Sequence, residues 1–105
     1  MISPSSIYGI ISAGDVPPYQ AFKDAVRLKT KNDAVFLSPD QIRGNSVHPG
    51  YIWTPMIEKS QRRVRAGRRS CARPWRPCIR RTMASDESKF ITGTELVIDG
   101  GYTAR

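Results

Sequence analysis

The residues with the clearest potential for chemistry lie near the start of the chain. Tyr19 and Lys23 are four positions apart, and Ser6 precedes the tyrosine by thirteen. If the segment from Pro18 onward is helical, Tyr19 and Lys23 lie one turn apart on the same face. The ammonium can then lie beside the phenol, and a nearby cation lowers the pKa of a tyrosine toward the working range of a general acid or base. The spacing therefore predicts acid–base chemistry.

Three stretches of the N-terminal half would position these side chains. Ile2–Ile11 is typical of the end of a strand followed by a loop that carries hydroxyl groups, and Gly14 to Pro18 marks a turn. From Tyr19 to about Leu37 the apolar residues recur at helical spacing, which predicts an amphipathic helix. Ser38-Pro39-Asp40 should end it. Pro4 is a poor residue for the interior of a strand.

The remaining pattern predicts two further strands. Ile42–His48 is typical of a short strand weakened by Gly44, and Thr94–Ile98 of a buried strand. Tyr51–Met56 is an aromatic-rich loop of the kind found at strand ends. Since a helix alternates with short apolar strands, we expect an α/β protein with a parallel sheet.

The basic charge of the chain is confined to one segment. A chain of 105 residues forms one domain at most, and its formal net charge is +8. Residues 59–81 hold ten basic residues and no acidic one, whereas the rest holds seven basic and nine acidic residues. The Arg-rich segment thus invites a nucleic-acid interpretation, while the rest resembles a mildly acidic soluble protein.

The cysteines and the histidine give no sign of a metal site. Cys71 and Cys78 both lie in the Arg-rich segment without a neighbouring histidine, so neither zinc nor a disulfide is expected. His48, the only histidine, is expected to occupy a structural position at a strand end. The sequence contains no apolar run long enough to span a bilayer and no signal peptide pattern, so we expect a cytoplasmic protein without a membrane partner.

Four motifs in order resemble the C-terminal part of a short-chain dehydrogenase/reductase. Together they cover residues 2–58 and 83–105, and the family order of the motifs is more specific than any one of them. They are Ser5-Ser6-Ile7-Tyr8-Gly9; Tyr19-x-x-x-Lys23 followed by Ala25-Val26-Arg27-Leu28 and Thr30-Lys31; Ile42-Arg43 with Asn45-Ser46-Val47-His48-Pro49-Gly50-Tyr51-Ile52 and Thr54-Pro55-Met56; and Ala84-Ser85-Asp86-Glu87 with Thr92-Gly93-Thr94-Glu95-Leu96-Val97-Ile98-Asp99-Gly100-Gly101.

The resemblance implies a Rossmann-like doubly wound parallel sheet and an NAD- or NADP-dependent oxidoreductase that acts on a secondary alcohol or ketone. By that resemblance Ser6 hydrogen-bonds the substrate oxygen, Tyr19 exchanges a proton with it, and Lys23 holds the cofactor ribose and depresses the tyrosine pKa. The implied cofactor-binding residues are Tyr19, Lys23, Pro49, Gly50, Ile52 and Thr54.

One part of the family pattern is missing from the printed sequence. It contains no glycine-rich turn that would place a pyrophosphate at a helix N-terminus. We therefore expect a truncated and inactive chain with an incomplete sheet. The expected organisation is a catalytic segment at residues 1–58, an unmatched Arg/Pro-rich segment at 59–82, and a final strand and turn at 83–105.

The Arg-rich segment has neither helical nor strand periodicity, and Pro74 and Pro77 forbid a continuous helix. We expect it to be disordered, and our hypothesis is an out-of-frame translation, which the coding DNA would test. Two other functions remain open. One is nonspecific nucleic-acid binding by this segment, and the other is noncatalytic association with intact family subunits, or with copies of itself, through the helix from Tyr19 to Leu37.

Overall fold

Strands and one long helix alternate along the chain. A computed structural model describes residues 1–52 and 82–104, and the Arg-rich segment at 59–81 lies outside the described residues. The elements are strand β1 (Ile2–Pro4), helix α1 (Pro17–Phe36), strand β2 (Asn45–Pro49) and strand β3 (Glu95–Ile98), with 3₁₀ turns at Ile7–Gly9, Ser38–Asp40 and Asp86–Ser88.

The three strands form one parallel sheet in the order β1-β2-β3. In the central strand, residues 45–48 are all buried. Ser46 pairs with Ser3 on one side and with Glu95 on the other. The expected α/β fold with a parallel sheet is therefore confirmed. Helix α1 is the crossover that returns the chain from β1 to β2.

The two faces of the sheet differ in chemistry. Because strand side chains alternate, the register places apolar residues of all three strands on one face, where Met83 packs. The apolar cluster consists of Val47, Met83, Ile2, Leu96 and Ile98. The opposite face carries Ser46, His48 and Glu95. It lies under α1, whose Arg27 and Lys31 reach Glu95.

Helix α1 begins at Pro17, with proline in its first turn, where a missing N–H costs little. The predicted helix is confirmed to within a turn at each end. Its buried residues are Thr30 and Ala34, however, whereas most of its large apolar side chains are exposed. The exposed ones are Phe22, Leu28, Val35 and Phe36. The apolar pattern thus predicts the helix but not the face that it buries.

Strand β2 begins at Asn45, three residues later than predicted. The cause is Gly44, which packs directly on α1. A Cβ on Gly44 would lie 3.3 Å from the backbone nitrogen of Ala34 and from the carbonyl oxygen of Thr30. Residue 44 therefore packs on the helix, and the chain begins to pair as β2 at the next residue, Asn45.

Strand β3 is less buried than its sequence suggests. No residue of Glu95–Ile98 is fully buried, and Val97 is 39% exposed. In the described part of the chain β3 pairs with β2 alone. It is an edge strand of that sheet, so one of its sides lacks a covering neighbour.

Candidate active site

Tyr19 and Lys23 lie on one face of the first turns of α1. Nζ of Lys23 is 5.6 Å from the centroid of the Tyr19 ring, and it donates a hydrogen bond to the carbonyl oxygen of Pro4 at 3.3 Å. Tyr19 is 44% exposed. The ammonium therefore lies beside the phenol ring at the end of β1, and both groups are accessible from outside.

The loop that carries Ser6 is fastened to α1 and to β2. Oγ of Ser5 donates to the carbonyl oxygen of Lys23 at 2.6 Å, and the Ser5 N–H donates to the carbonyl oxygen of Val47 at 2.8 Å. A Cβ on Gly9 would lie 2.8 Å from the carbonyl carbon of Lys23, so only glycine allows this contact. The loop thus packs on the helical turn that carries the lysine.

Ser6 itself is buried, and its Oγ accepts a hydrogen bond from the Tyr8 N–H at 3.2 Å, which caps the following 3₁₀ turn. Tyr8 in turn meets Tyr19 edge to face, with ring centroids 6.4 Å apart. Tyr8 therefore contacts both the serine and the tyrosine that the sequence singles out.

His48 lies directly behind Ser6 and is fully buried, with 0% exposure. Its Nδ1 is 2.9 Å from the carbonyl oxygen of Ser6, and its Nε2 is 2.9 Å from Oγ of Ser46. This burial agrees with the structural position predicted for His48. The contact with Ser6 has no counterpart in the sequence pattern, because it joins residues 42 positions apart.

The predicted cofactor loop leaves the carboxyl end of β2. Pro49 is the last residue of the strand and pairs with Ile98, and the Gly50 N–H donates to the Ile98 carbonyl oxygen at 2.9 Å. Pro49, Gly50 and Ile52 are each half-buried. Thr54 lies outside the described residues. The described part of this loop therefore emerges from the same sheet end as the Ser6 loop.

A row of tyrosines adjoins these loops, and sequence reasoning identified only part of it. Tyr51 meets Tyr8 with centroids 5.9 Å apart and Tyr102 with centroids 6.1 Å apart. The hydroxyls of Tyr8 and Tyr51 are hydrogen-bonded. Burial, followed by this hydrogen bond, raises the pKa of Tyr8 above its ordinary value of 10.0. Tyr8 therefore ionises less readily than a free tyrosine.

Glu95 connects α1 to β3. Its Oε1 pairs with Nζ of Lys31 at 2.6 Å and with Nε of Arg27 at 2.9 Å. Burial acts to raise the pKa of Glu95, but the hydrogen bonds from these two cations outweigh it and lower the pKa below 4.5. Arg27 also pairs with Asp24 at 2.8 Å. This charged cluster holds the helix in register with the sheet.

Arg43 donates hydrogen bonds to several backbone carbonyl oxygens of the residues that follow the Arg-rich segment. Its Nη1 donates to the carbonyl oxygens of Ser88 at 2.7 Å and of Met83 at 3.2 Å, and its Nη2 donates to that of Ser85 at 3.3 Å. The third motif includes Arg43 but does not predict these contacts, because they join residues 40 to 45 positions apart. The residue positions the backbone that leads into β3.

The turn after β3 is closed by Asp99. Its carboxylate accepts hydrogen bonds from the N–H groups of Gly101 at 2.9 Å and Thr103 at 2.7 Å, and from the Thr103 hydroxyl at 2.6 Å. Burial acts to raise the pKa of Asp99, but these bonds lower it below 3.8. The predicted Asp99-Gly100-Gly101 turn is thus present.

The sequence as a whole matches one protein family. The model of the family described as enoyl-(acyl carrier protein) reductase matches residues 1–103. Together with its relatives, this match shows that the chain belongs to the short-chain dehydrogenase/reductase family. The sheet described above is a part of the Rossmann-like fold of that family.

Similar proteins are dehydrogenases of alcohols. Cyclopentanol dehydrogenase of Comamonas sp. is 43% identical over 99% of this chain and 45% of its own length. NADP-dependent (R)-specific alcohol dehydrogenase of Lentilactobacillus kefiri is 39% identical over 100% of this chain and 46% of its own length. The chain thus spans less than half the length of these curated relatives.

Solved structures agree with the fold. Levodione reductase superimposes with a TM-score of 0.85 at 30% identity, over 98% of this chain and 46% of that one. 4-Hydroxyisoleucine dehydrogenase complexed with NADH gives 0.83 at 31% identity, over 99% of this chain and 46% of that one. Among the described residues, no helix is both long and apolar enough to cross a membrane.

Proposed function

We propose that this chain carries the catalytic half of an NAD(P)-dependent oxidoreductase for a secondary alcohol or ketone, with Ser6, Tyr19 and Lys23 as its catalytic residues. One observation carries the proposal. The Ser6 loop is bonded to the carbonyl oxygen of Lys23, one turn after Tyr19. The serine and the tyrosine–lysine pair thus belong to one rigid unit, which general acid–base catalysis requires.

The chemistry follows from the groups that this unit presents. The phenol oxygen of Tyr19 takes the hydroxyl proton of the alcohol during oxidation and returns a proton to the ketone oxygen during reduction. The Ser6 hydroxyl hydrogen-bonds that same oxygen, and the Lys23 ammonium lies beside the Tyr19 ring, with Nζ 5.6 Å from its centroid. A bound nicotinamide cofactor supplies the hydride acceptor or donor.

The described residues fit only one end of such a cofactor. The Lys23 ammonium is exposed beside Tyr19 and can hold a ribose hydroxyl, and Pro49, Gly50 and Ile52, followed by Thr54, form the loop proposed to meet the nicotinamide. A pyrophosphate requires a glycine-rich turn at a helix N-terminus, which the printed sequence does not contain. NAD and NADP therefore both remain candidates.

We further propose that the chain by itself is inactive, because it spans less than half of the alcohol dehydrogenases that it resembles. The direct measurement is a thermal shift with NADH and with NADPH at millimolar concentration. We expect no shift in the melting temperature. A clear stabilisation by either cofactor would contradict this part of the proposal.

The catalytic roles can be tested by joining the nucleotide-binding half of cyclopentanol dehydrogenase from Comamonas to residue 1. Reduction of the cofactor with cyclopentanol is followed by absorbance. Tyr19→Phe should lower the turnover of this fusion at least about 100-fold, since the proton acceptor is removed. Lys23→Met should lower it less. Lys29→Met, a change of the same type on an exposed lysine of α1, is the control. Unchanged turnover in Tyr19→Phe would refute the assignment.

A noncatalytic association through α1 is the second candidate function. Phe22, Leu28, Val35 and Phe36 are 68–78% exposed on this helix, and exposed apolar surface of this kind is found at interaction sites. The partner would be an intact family subunit or a second copy of this chain. Capture of the full-length Comamonas enzyme by the immobilised chain, and its loss in Leu28→Asp, would support this function.

We also propose that the protein is located in the cytoplasm. We also propose that the Arg-rich segment, which lies outside the described residues, binds nucleic acid without sequence preference. Such binding rests on phosphate neutralisation and weakens steeply with salt. A titration with RNA at low and at physiological salt would test it, and sequence-selective binding that survives salt would contradict it.

A further inference from the structure

The buried imidazole of His48 is a polar group that the proposed chemistry does not use. It is fully enclosed, with one ring nitrogen against the backbone of Ser6 and the other against the side chain of Ser46. A buried polar ring costs free energy unless both nitrogens are hydrogen-bonded. Both nitrogens have partners at 2.9 Å, so the site is built around this ring.

The chemistry of the partners fixes the protons. The carbonyl oxygen of Ser6 can only accept, so Nδ1 must carry the hydrogen that lies between them. The hydroxyl of Ser46 can donate or accept, and in the neutral ring it donates to the lone pair of Nε2. Of the two neutral tautomers, the arrangement therefore selects the one that is protonated on Nδ1.

We propose that His48 is a positioning residue for Ser6. The imidazole of His48 fixes the carbonyl group of Ser6, and the Ser6 hydroxyl thereby keeps one direction. This inference deepens the function proposed above and rests on it. The neighbouring Ser5 is held by its own N–H and hydroxyl. The carbonyl oxygen of Ser6 accepts from the Gly9 N–H at 3.0 Å within its own loop and from Nδ1 of His48 at 2.9 Å, and the bond to His48 is the one that fixes it to β2.

The position of His48 also links two halves of the proposed site. Pro49 and Gly50 follow it directly, and they begin the loop assigned to the nicotinamide. Together with the bond from the Ser5 N–H to the Val47 carbonyl oxygen, the contact of the ring with Ser6 ties the loop of the substrate-binding hydroxyl to the strand from which this second loop leaves. Catalytic groups must be held within about 0.5 Å of their productive geometry, and the residues that pack behind them hold them there.

The first test is the tautomer of the unmodified chain. His48 is the only histidine, so histidine labelled with ¹⁵N gives a single pair of ring signals without assignment. We expect one ring nitrogen to carry a directly bonded proton and the NMR correlations to identify it as Nδ1. We expect Nε2 to be unprotonated. A proton on Nε2 with a bare Nδ1 would overturn the proposal. The measurement uses neither cofactor nor substrate, so it is independent of the alcohol chemistry.

The second test uses matched substitutions. In His48→Asn the amide nitrogen takes the place of Nδ1, whereas in His48→Gln it takes that of Nε2. The readout is hydrogen exchange of the Tyr8 amide, which is bonded to Oγ of Ser6. It should exchange roughly tenfold faster in His48→Gln, as expected for one lost hydrogen bond, and near the original rate in His48→Asn.

Two controls separate positioning from a general loss of structure. Ser46→Ala removes the partner of Nε2 alone and should leave the Tyr8 amide unchanged. The Gly93 amide, bonded to the Gly44 carbonyl at 2.7 Å, reports on the sheet elsewhere and should also be unchanged. Equal acceleration in the Asn and Gln variants, or acceleration of Gly93 equal to that of Tyr8, would overturn the proposal. If a variant does not fold, the tautomer of the unmodified chain still decides.

Discussion

The two faces of α1 differ in the size and polarity of the groups that they present. The inner face presents backbone and small or polar groups, namely the Lys23 carbonyl, Thr30 and Ala34. The outer face presents large apolar side chains, among them Leu28 and Val35. In a helix of a self-sufficient domain the apolar stripe faces the core. Here the inner face allows close approach to the Ser6 loop and to β2, and the large apolar side chains of the outer face are exposed.

The strongest way to break the inner face is to add one methyl group at Gly9. In Gly9→Ala the new Cβ would lie 2.8 Å from the carbonyl carbon and oxygen of Lys23, so helix and loop must separate. We expect the free energy of unfolding to fall by about 3 kcal/mol. Urea unfolding followed by circular dichroism measures this loss.

Gly14→Ala is the matched control, because nothing lies within 4 Å of a Cβ there. It should change the free energy of unfolding by less than about 0.5 kcal/mol, or raise it slightly by restricting the unfolded chain. If both glycine variants lose the same stability, the close packing of the Ser6 loop on α1 is not what holds the inner face.

Ala34 and Val35, which are adjacent in α1, test the same difference between the two faces. Ala34 is buried against Gly44, whereas Val35 is 78% exposed. Ala34→Leu should therefore lower the free energy of unfolding by about 2 kcal/mol through overpacking. Val35→Leu should be within about 0.5 kcal/mol of the original chain. Both are read from urea midpoints, and equal effects would mean that the faces are not distinct.

Much of the fold could be predicted from the sequence, and the part that failed has a physical reason. Helical spacing and turn residues predict α1 well, because periodicity depends on local geometry. The buried face depends on what packs against it, and here glycine and backbone carbonyls select Thr30 and Ala34. The start of β2 was misplaced for the same reason, since Gly44 belongs to the contact with α1.

The candidate site divides in the same way. Motif order and the one-turn spacing of two residues on a helix predict Ser6, Tyr19 and Lys23, and their catalytic roles stay a prediction. The contact of His48 with Ser6 and that of Tyr102 with Tyr51 join residues far apart in the chain. No local pattern encodes such pairs. They follow from the parallel register of the strands, which brings three chain segments to one end of the sheet.

Charge should hold the inner face less strongly than packing does. The folded-state pKa of Glu95 lies below its ordinary value of 4.5, so the stability it contributes is present above that pH. It is lost as the pH falls through the folded-state pKa. Glu95→Gln should cost about 1 kcal/mol at pH 7, and the difference from the original chain should shrink below pH 4.5. Urea titrations across this range measure it, and a difference independent of pH would contradict it.

The outer face should give the smallest change in stability but a change in assembly. Leu28 is 68% exposed, so Leu28→Asp leaves the core intact and should alter the free energy of unfolding by less than about 0.5 kcal/mol. It replaces one of the exposed apolar side chains of α1 by a charged one. If α1 pairs with a second copy, sedimentation velocity should show a shift toward monomer, because burying an unpaired carboxylate opposes association. Ser12→Asp adds the same charge on an exposed loop residue and should leave the assembly unchanged. A chain that is monomeric at every concentration would show that the outer face needs another partner, and an unchanged assembly in Leu28→Asp would exclude this face as the contact.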